Sequence, residues 1–173
     1  MPHWYGGSTL NPRDIAPRGE HWKFQWARVM RWNQRVRQTK EKSLQHELTP
    51  EDIDTVIAFF QNCYHFRDWL IASRSNLKGP INQLFRKHFE MGACRDICNG
   101  FKHKAVDHPS HDKDFNLYRE RDPFEALTLE RRVPSKHRVV FAEGTGIRKF
   151  DLFELAEKCF ELWSQFLRQQ DMQ

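Results

Sequence analysis

The chain has 173 residues, of which 29% are charged and 39% hydrophobic, and basic residues outnumber acidic ones by 28 to 23. This length and composition fit one domain with a substantial core and exclude a disordered chain. No apolar run reaches about 18 residues, so we expect no transmembrane helix. The N-terminus lacks the pattern of a secretory signal. We therefore expect a soluble, cytoplasmic protein.

The predicted fold is mainly α-helical, with a small antiparallel β insertion before the last helix. We expect a single domain over residues 1–173. Its parts are an N-terminal arm (1–14), a helical core (17–104), a loop with short strands (107–146) and a last bundle helix (151–169).

The first predicted helix, 17–42, is strongly basic. Large apolar residues recur in it at steps of three and four, which is typical of an amphipathic helix. Residues 18–42 hold eight basic residues against two acidic ones. Such a face attracts phosphate, so Arg28, Arg31 and Arg35 are predicted to bind nucleic acid. The alternative is that this face only solvates the fold.

A second helix is predicted from an N-cap at Thr49, with Pro50 at its first position, to about Ser73. Tyr64 and Asp68 are four residues apart and share a face of this helix. Asp68 lies near the apolar side, where an unpaired carboxylate is costly. We expect Arg95 or His103 to be its partner.

Two further helices are predicted before the strands. Gly79-Pro80 is interpreted as a helix breaker that ends a turn at 75–80, and a short helix follows to about His88. The next helix, about 90–104, places Arg95, Asn99 and His103 in one row on one face. Cys94, Cys98 and Phe101 occupy a neighbouring, less polar face. The polar row is either a buried network or a functional site.

The four cysteines, Cys63, Cys94, Cys98 and Cys159, are predicted to be reduced and buried as small apolar residues. A metal site at Cys94, Cys98 and His103 is the alternative, but structural zinc sites use CxxC pairs, which this chain lacks. His108 and His111 are interpreted as part of a solvated loop. We therefore predict no metal and no cofactor.

Period-two alternation between Asp107 and Glu143, bounded by Pro and Gly, predicts two or three short antiparallel strands. Phe115 and Leu117, Leu127 and Leu129, and Val139 and Phe141 supply the alternating apolar positions. A last helix is predicted from a cap at Asp151 to about Gln169. This helix is net negative, so we expect it to lie against the basic first helix.

Three segments carry a resemblance: FQNCYHFRDWL (60–70), CRDICNGFKH (94–103) and LWSQFL (162–167). With its Asp-x-x-Asn-x-x-Lys-His core (Asp96, Asn99, Lys102, His103), the middle segment resembles an uncharacterised family of bacterial helical-bundle proteins. The arrangement also resembles the HEPN superfamily (higher eukaryotes and prokaryotes nucleotide-binding). That resemblance implies a four-helix up-and-down bundle, often dimeric, of the bacterial toxin or defence type.

Many HEPN proteins are metal-independent ribonucleases that carry an Arg and a His separated by four to six residues. Here seven residues separate Arg95 from His103. In such a ribonuclease, His103 would be the acid or base and Arg95 would hold the phosphate. Asn99 would orient the phosphate or His103, and Lys102 would add charge.

Three interpretations remain open. The first is a non-catalytic module that binds RNA or a cognate protein partner. The second is the ribonuclease. In the third, the row joins Tyr64, Asp68 and Asp96 in a structural polar network without activity.

Overall fold

The computed structural model describes residues 20–102, 116–120, 136–143 and 146–172. Within them are five α-helices and a three-stranded antiparallel sheet, which confirms the mainly helical chain with a small β insertion. The helices are α1 (Trp22–Ser43), α2 (Pro50–Ser73), α3 (Lys78–Lys87), α4 (Phe89–Lys102) and α5 (Leu152–Gln169). The strands are β1 (Asn116–Glu120), β2 (Lys136–Glu143) and β3 (Gly146–Asp151).

Helix α2 begins at a capping box, as its sequence predicts. The Thr49 hydroxyl accepts a hydrogen bond from the Asp52 amide at 3.3 Å, and the Thr49 amide donates to the Asp52 carboxylate at 2.8 Å. Pro50 occupies the first helical position, where a missing N–H costs nothing. These bonds satisfy amides that the first turn cannot pair by itself.

The core is built on α2 and α5, which pack against each other and against α1 and α4. Trp163 of α5 is fully buried, and its ring makes edge contacts with Phe66, Phe85 and Phe166. Its indole Nε1 donates to the Cys63 carbonyl at 3.1 Å. The wide apolar face predicted for the last helix is thus the centre of the core.

The sheet covers the end of the core where α4 begins. Side chains of β2 alternate, with Val139 and Phe141 buried, because successive strand residues point to opposite faces. Phe89, the first residue of α4, contacts Phe141 at 5.7 Å and Phe150 of β3 at 5.3 Å between ring centroids. The sheet therefore joins the helical core through aromatic side chains.

The prediction for α3 was wrong at its start. The helix begins at Lys78 after a short 3-10 turn (Ser75–Leu77), so Gly79 and Pro80 lie inside its first turn. The first amides of a helix have no intrahelical acceptor, so Pro80 removes no hydrogen bond there. The pair does not break the helix.

Strand β3 was not predicted, because its apolar residues do not alternate cleanly. Its pairing with β2 places Phe150 opposite Val139, while Ile147 is 65% exposed. On the less polar face predicted for α4, Cys94 and Cys98 are buried, whereas Phe101 is 47% exposed. Phe101 lies in the last turn of α4.

The expected contact between the basic first helix and the acidic last one is confirmed. Glu157 of α5 pairs with Arg37 at 3.9 Å and with Lys40 at 3.4 Å. The predicted N-terminal arm, the start of the first helix before residue 20, the His108 and His111 loop and the strand at Leu127 and Leu129 lie outside the described residues. In the described part, no helix has the length and apolarity needed to cross a bilayer.

Candidate nucleic-acid interface

Helix α1 separates a buried stripe from an arginine-rich outer face. The side chains that α1 buries against α2 and α5 are those of Trp22, Gln25, Val29, Asn33, Val36 and Thr39. Arg28, Arg31 and Arg35 are all exposed. They stand at i, i+3 and i+7, so they share one face and span about 10 Å at the helical rise of roughly 1.5 Å per residue. We call these three residues the arginine row.

A chain of hydrogen bonds holds the first arginine of the row. Gln25 donates from Nε2 to the Asn62 carbonyl at 3.1 Å and to its side-chain oxygen at 3.2 Å. The Asn62 amide donates in turn to the Ala58 carbonyl at 2.7 Å. Arg28 donates to Gln25 Oε1 at 3.4 Å. The buried glutamine is thereby satisfied at both ends, and it anchors Arg28 to α2.

The last arginine of the row lies over an aromatic ring. The Arg35 guanidinium is 4.5 Å from the centroid of Trp32, which is partly buried against the core. At this distance the ring attracts the cation and restricts its rotamers. Stacking leaves the five N–H donors at the guanidinium edge available to an oxygen ligand.

The positive charge of the row is not neutralised by acids in the described part of the chain. The ion pairs of α1 there are Lys23–Glu20, Arg37–Glu157, Lys40–Glu157 and Lys42–Asp52. None of them involves the arginine row. The flanking cations of the helix are thus paired, whereas the three central arginines present their charge to solvent.

The row predicted on α4 is partly described. The Arg95 side chain is 32% exposed, and its Nε is 3.7 Å from a carboxylate oxygen of Asp96, which is fully buried. Asn99 is partly exposed one turn later. His103 lies outside the described residues, as does the side chain of Lys102. The structure therefore does not test the pairing of Arg95 with His103.

Asp68 does not lie near the apolar side of α2, where it was expected. Its side chain is 56% exposed, and it pairs with Arg67 at 2.8 Å and approaches His65 at 3.9 Å. The expected partner was Arg95 or His103. The helical stripe turns Asp68 away from the core, so solvent reaches its carboxylate. Tyr64, which was expected to share a network with it, is half-buried, and burial raises the pKa of its hydroxyl.

Two features of the interface escaped the sequence prediction. Trp32 under Arg35 could have been found from its i, i+3 spacing. The hydrogen bond from Gln25 to Asn62 joins two helices, and no sequence pattern in either helix predicts it. No group of three His, Cys, Asp or Glu side chains is arranged to hold a metal ion within the described ranges.

Comparison with known proteins adds no relative. No protein-family model, no curated protein and no solved structure matches the chain.

Proposed function

We propose that the protein is a non-catalytic RNA-binding module whose interface is the arginine row of α1. The observation that carries this proposal is the contrast within one helix. Arg28, Arg31 and Arg35 are exposed without an acidic partner in the described residues, whereas Lys23, Arg37 and Lys40 are paired. A ligand with closely spaced negative charges complements such a row.

The residue type also supports a phosphate ligand. Arginine presents a planar fork of donors that matches phosphate oxygens, and it is less strongly hydrated than lysine. Two of the three guanidinium groups are held by neighbours, Arg28 by Gln25 and Arg35 by Trp32. Less side-chain entropy is then lost when phosphate binds.

The proposal also covers the type of helical bundle and the assembly in which the protein acts. We infer a HEPN-like four-helix bundle formed by α1, α2, α4 and α5, which acts as a homodimer or with a cognate protein in a bacterial toxin or defence system. The resemblance at Asp96, Asn99 and the residues that follow supports this inference, as do the mutual contacts of α2 and α5 with α1 and α4.

The test is a salt titration of binding to a labelled single-stranded RNA, followed by fluorescence anisotropy. We would compare the wild type with a triple variant of the arginine row to Gln. Each arginine that no longer binds a phosphate should reduce the slope of log K against log salt by about 0.7–0.9. The triple variant should therefore lose roughly two units of slope and most of its affinity at physiological salt.

The matched control is a second triple variant with the same decrease in charge, Lys23→Gln, Arg37→Gln and Lys40→Gln. These cations already have acidic partners, so we expect a smaller change in slope. Equal changes in both variants would show an effect of net charge alone. If the wild type does not bind RNA at low salt, this function is excluded.

A metal-independent ribonuclease is the second candidate, because the resemblance implies a catalytic arginine at Arg95 and its side chain is 32% exposed. Cleavage of mixed RNA in the presence of a chelator tests this activity. We expect Arg95→Ala and His103→Ala to abolish cleavage while the arginine-row variant only raises KM. Cleavage that persists in His103→Ala would exclude His103 as the catalytic acid or base, and the absence of any cleavage by the wild type would exclude the ribonuclease.

A further inference from the structure

Three of the four cysteines meet in the core, although they come from three different helices. Cys63 lies on α2, Cys94 on α4 and Cys159 on α5, and each is fully buried. The fourth, Cys98, is also buried but lies one turn further along α4.

Three hydrogen bonds connect the turns that carry these thiols. Cys94 Sγ donates to the Phe60 carbonyl of α2 at 3.5 Å, and Cys159 Sγ donates to the Glu90 carbonyl of α4 at 3.3 Å. The Trp163 indole of α5 donates to the Cys63 carbonyl at 3.1 Å. Each bond ends within four residues of the next cysteine. The bonds therefore close a ring around the three thiols.

The three thiols do not have the same acidity. Desolvation raises the pKa of a buried thiol, and the pKa values of Cys94 and Cys159 lie well above the ordinary value. Desolvation also acts on Cys63, but the neighbouring thiols of Cys159 and Cys94 and the Trp163 indole outweigh it and hold the pKa of Cys63 below its ordinary value. Cys63 is thus the thiol best able to carry negative charge.

We propose that this junction is an oxidative modification site, at which hydrogen peroxide links Cys63 and Cys159 in a disulfide between α2 and α5. The contact between Trp163 and Cys63 favours this pair, because Trp163 follows Cys159 by one helical turn. Peroxide is little larger than water, so small openings of the core admit it while bulky thiol reagents stay outside.

The reaction takes two steps and consumes one peroxide. The Cys63 sulfur attacks a peroxide oxygen, the O–O bond breaks, and the products are a Cys63 sulfenic acid and one water. The Cys159 sulfur then attacks the Cys63 sulfur, the S–O bond breaks, and the hydroxide leaves as a second water with the thiol proton. Overall, two thiols lose two electrons and two protons, and the peroxide is reduced to two waters.

The experiment treats the folded protein with peroxide, blocks the remaining thiols with iodoacetamide in denaturant, and maps tryptic peptides by mass spectrometry. Trypsin places the four cysteines in separate peptides, 43–67, 88–95, 96–102 and 159–168. We expect peptide 43–67 linked to 159–168, at the summed mass less two hydrogen atoms, and disappearance of the link on treatment with dithiothreitol. Two of the four thiols should become unreactive.

The peptide map of the wild-type protein tests the proposal without any variant. A link that includes Cys98, a link between Cys63 and Cys94, or over-oxidised Cys63 without a link would each overturn the proposal. So would a link that forms only in denaturant. As a matched pair, Cys98→Ala should retain the link and Cys159→Ala should lose it, with the fold of both variants checked by circular dichroism.

Discussion

At the scale of single residues, Trp163 is central to the packing of the core. It combines complete burial, three edge contacts with phenylalanine rings and a hydrogen bond to the Cys63 carbonyl. Phe66 extends this cluster to α1, because its ring centroid is 6.4 Å from that of Trp22 and 5.1 Å from that of Trp26. A change at Trp163 therefore affects its packing against α2 and α3 directly, and against α1 through Phe66.

We predict that Trp163→Ala lowers the free energy of unfolding by about 3–5 kcal/mol, the range for removing a large aromatic side chain from a core. Trp163→Phe keeps an apolar ring but loses the indole donor, so its cost should be about 1–2 kcal/mol. Urea unfolding followed by circular dichroism measures both. Leu44→Ala serves as a control, because Leu44 is 63% exposed. A decrease below about 1 kcal/mol for Trp163→Ala would contradict this description of the core.

At the scale of elements, the start of α2 is stabilised by charge as well as by its capping box. Asp52 accepts hydrogen bonds from the Thr49 amide at 2.8 Å and from Lys42 Nζ at 2.6 Å. Burial opposes ionisation of Asp52, but these bonds outweigh it and lower the pKa of the carboxyl below its ordinary value. A lowered pKa in the folded state stabilises the fold above the unfolded pKa of about 3.9. That stability is lost as the pH falls through the folded pKa.

We predict that Asp52→Asn lowers the free energy of unfolding by about 1–2 kcal/mol at neutral pH. The difference from the wild type should shrink as the pH falls below about 4, because Asp52 is protonated first in the unfolded chain and then, at lower pH, in the folded protein. Urea unfolding at several pH values measures this trend. Asp54→Asn is the matched control, since Asp54 is exposed on the same helix and should cost less than about 0.5 kcal/mol. A destabilisation at Asp52 that does not depend on pH would exclude the charge effect.

At the scale of the whole molecule, aromatic packing contributes more than ion pairs to the docking of α1. Trp26 stacks on Phe160 of α5 at 5.3 Å with an interplanar angle of 7°. The ion pairs of Glu157 with Arg37 and Lys40 lie at the surface, where all three side chains are at least 44% exposed. Water and salt screen such pairs.

We predict that Trp26→Ala lowers the free energy of unfolding by about 2–3 kcal/mol. Glu157→Gln should cost less than about 1 kcal/mol, and high salt should remove most of that difference. Thermal unfolding at low and high salt compares the two variants. If Glu157→Gln were the more damaging change, charge complementarity would be the main force between α1 and α5.

The amino-acid sequence by itself determined the elements whose signals are local. The capping residues at Thr49 and Asp151 start α2 and α5 where predicted, because a side chain that bonds nearby amides acts within one turn. The apolar stripe and basic face of α1 follow from helical spacing alone. Arg28, Arg31 and Arg35 are therefore exposed as the sequence predicts.

Only the tertiary structure decided which side chains meet. It turned Asp68 to solvent, paired Gln25 with Asn62, and brought Cys63, Cys94 and Cys159 together from three helices. Strand β3 likewise depends on its pairing with β2. Periodicity assigns a residue to a face of its own helix or strand. The partner across that face depends on how the elements pack, and distant segments of the chain carry no local signal of it.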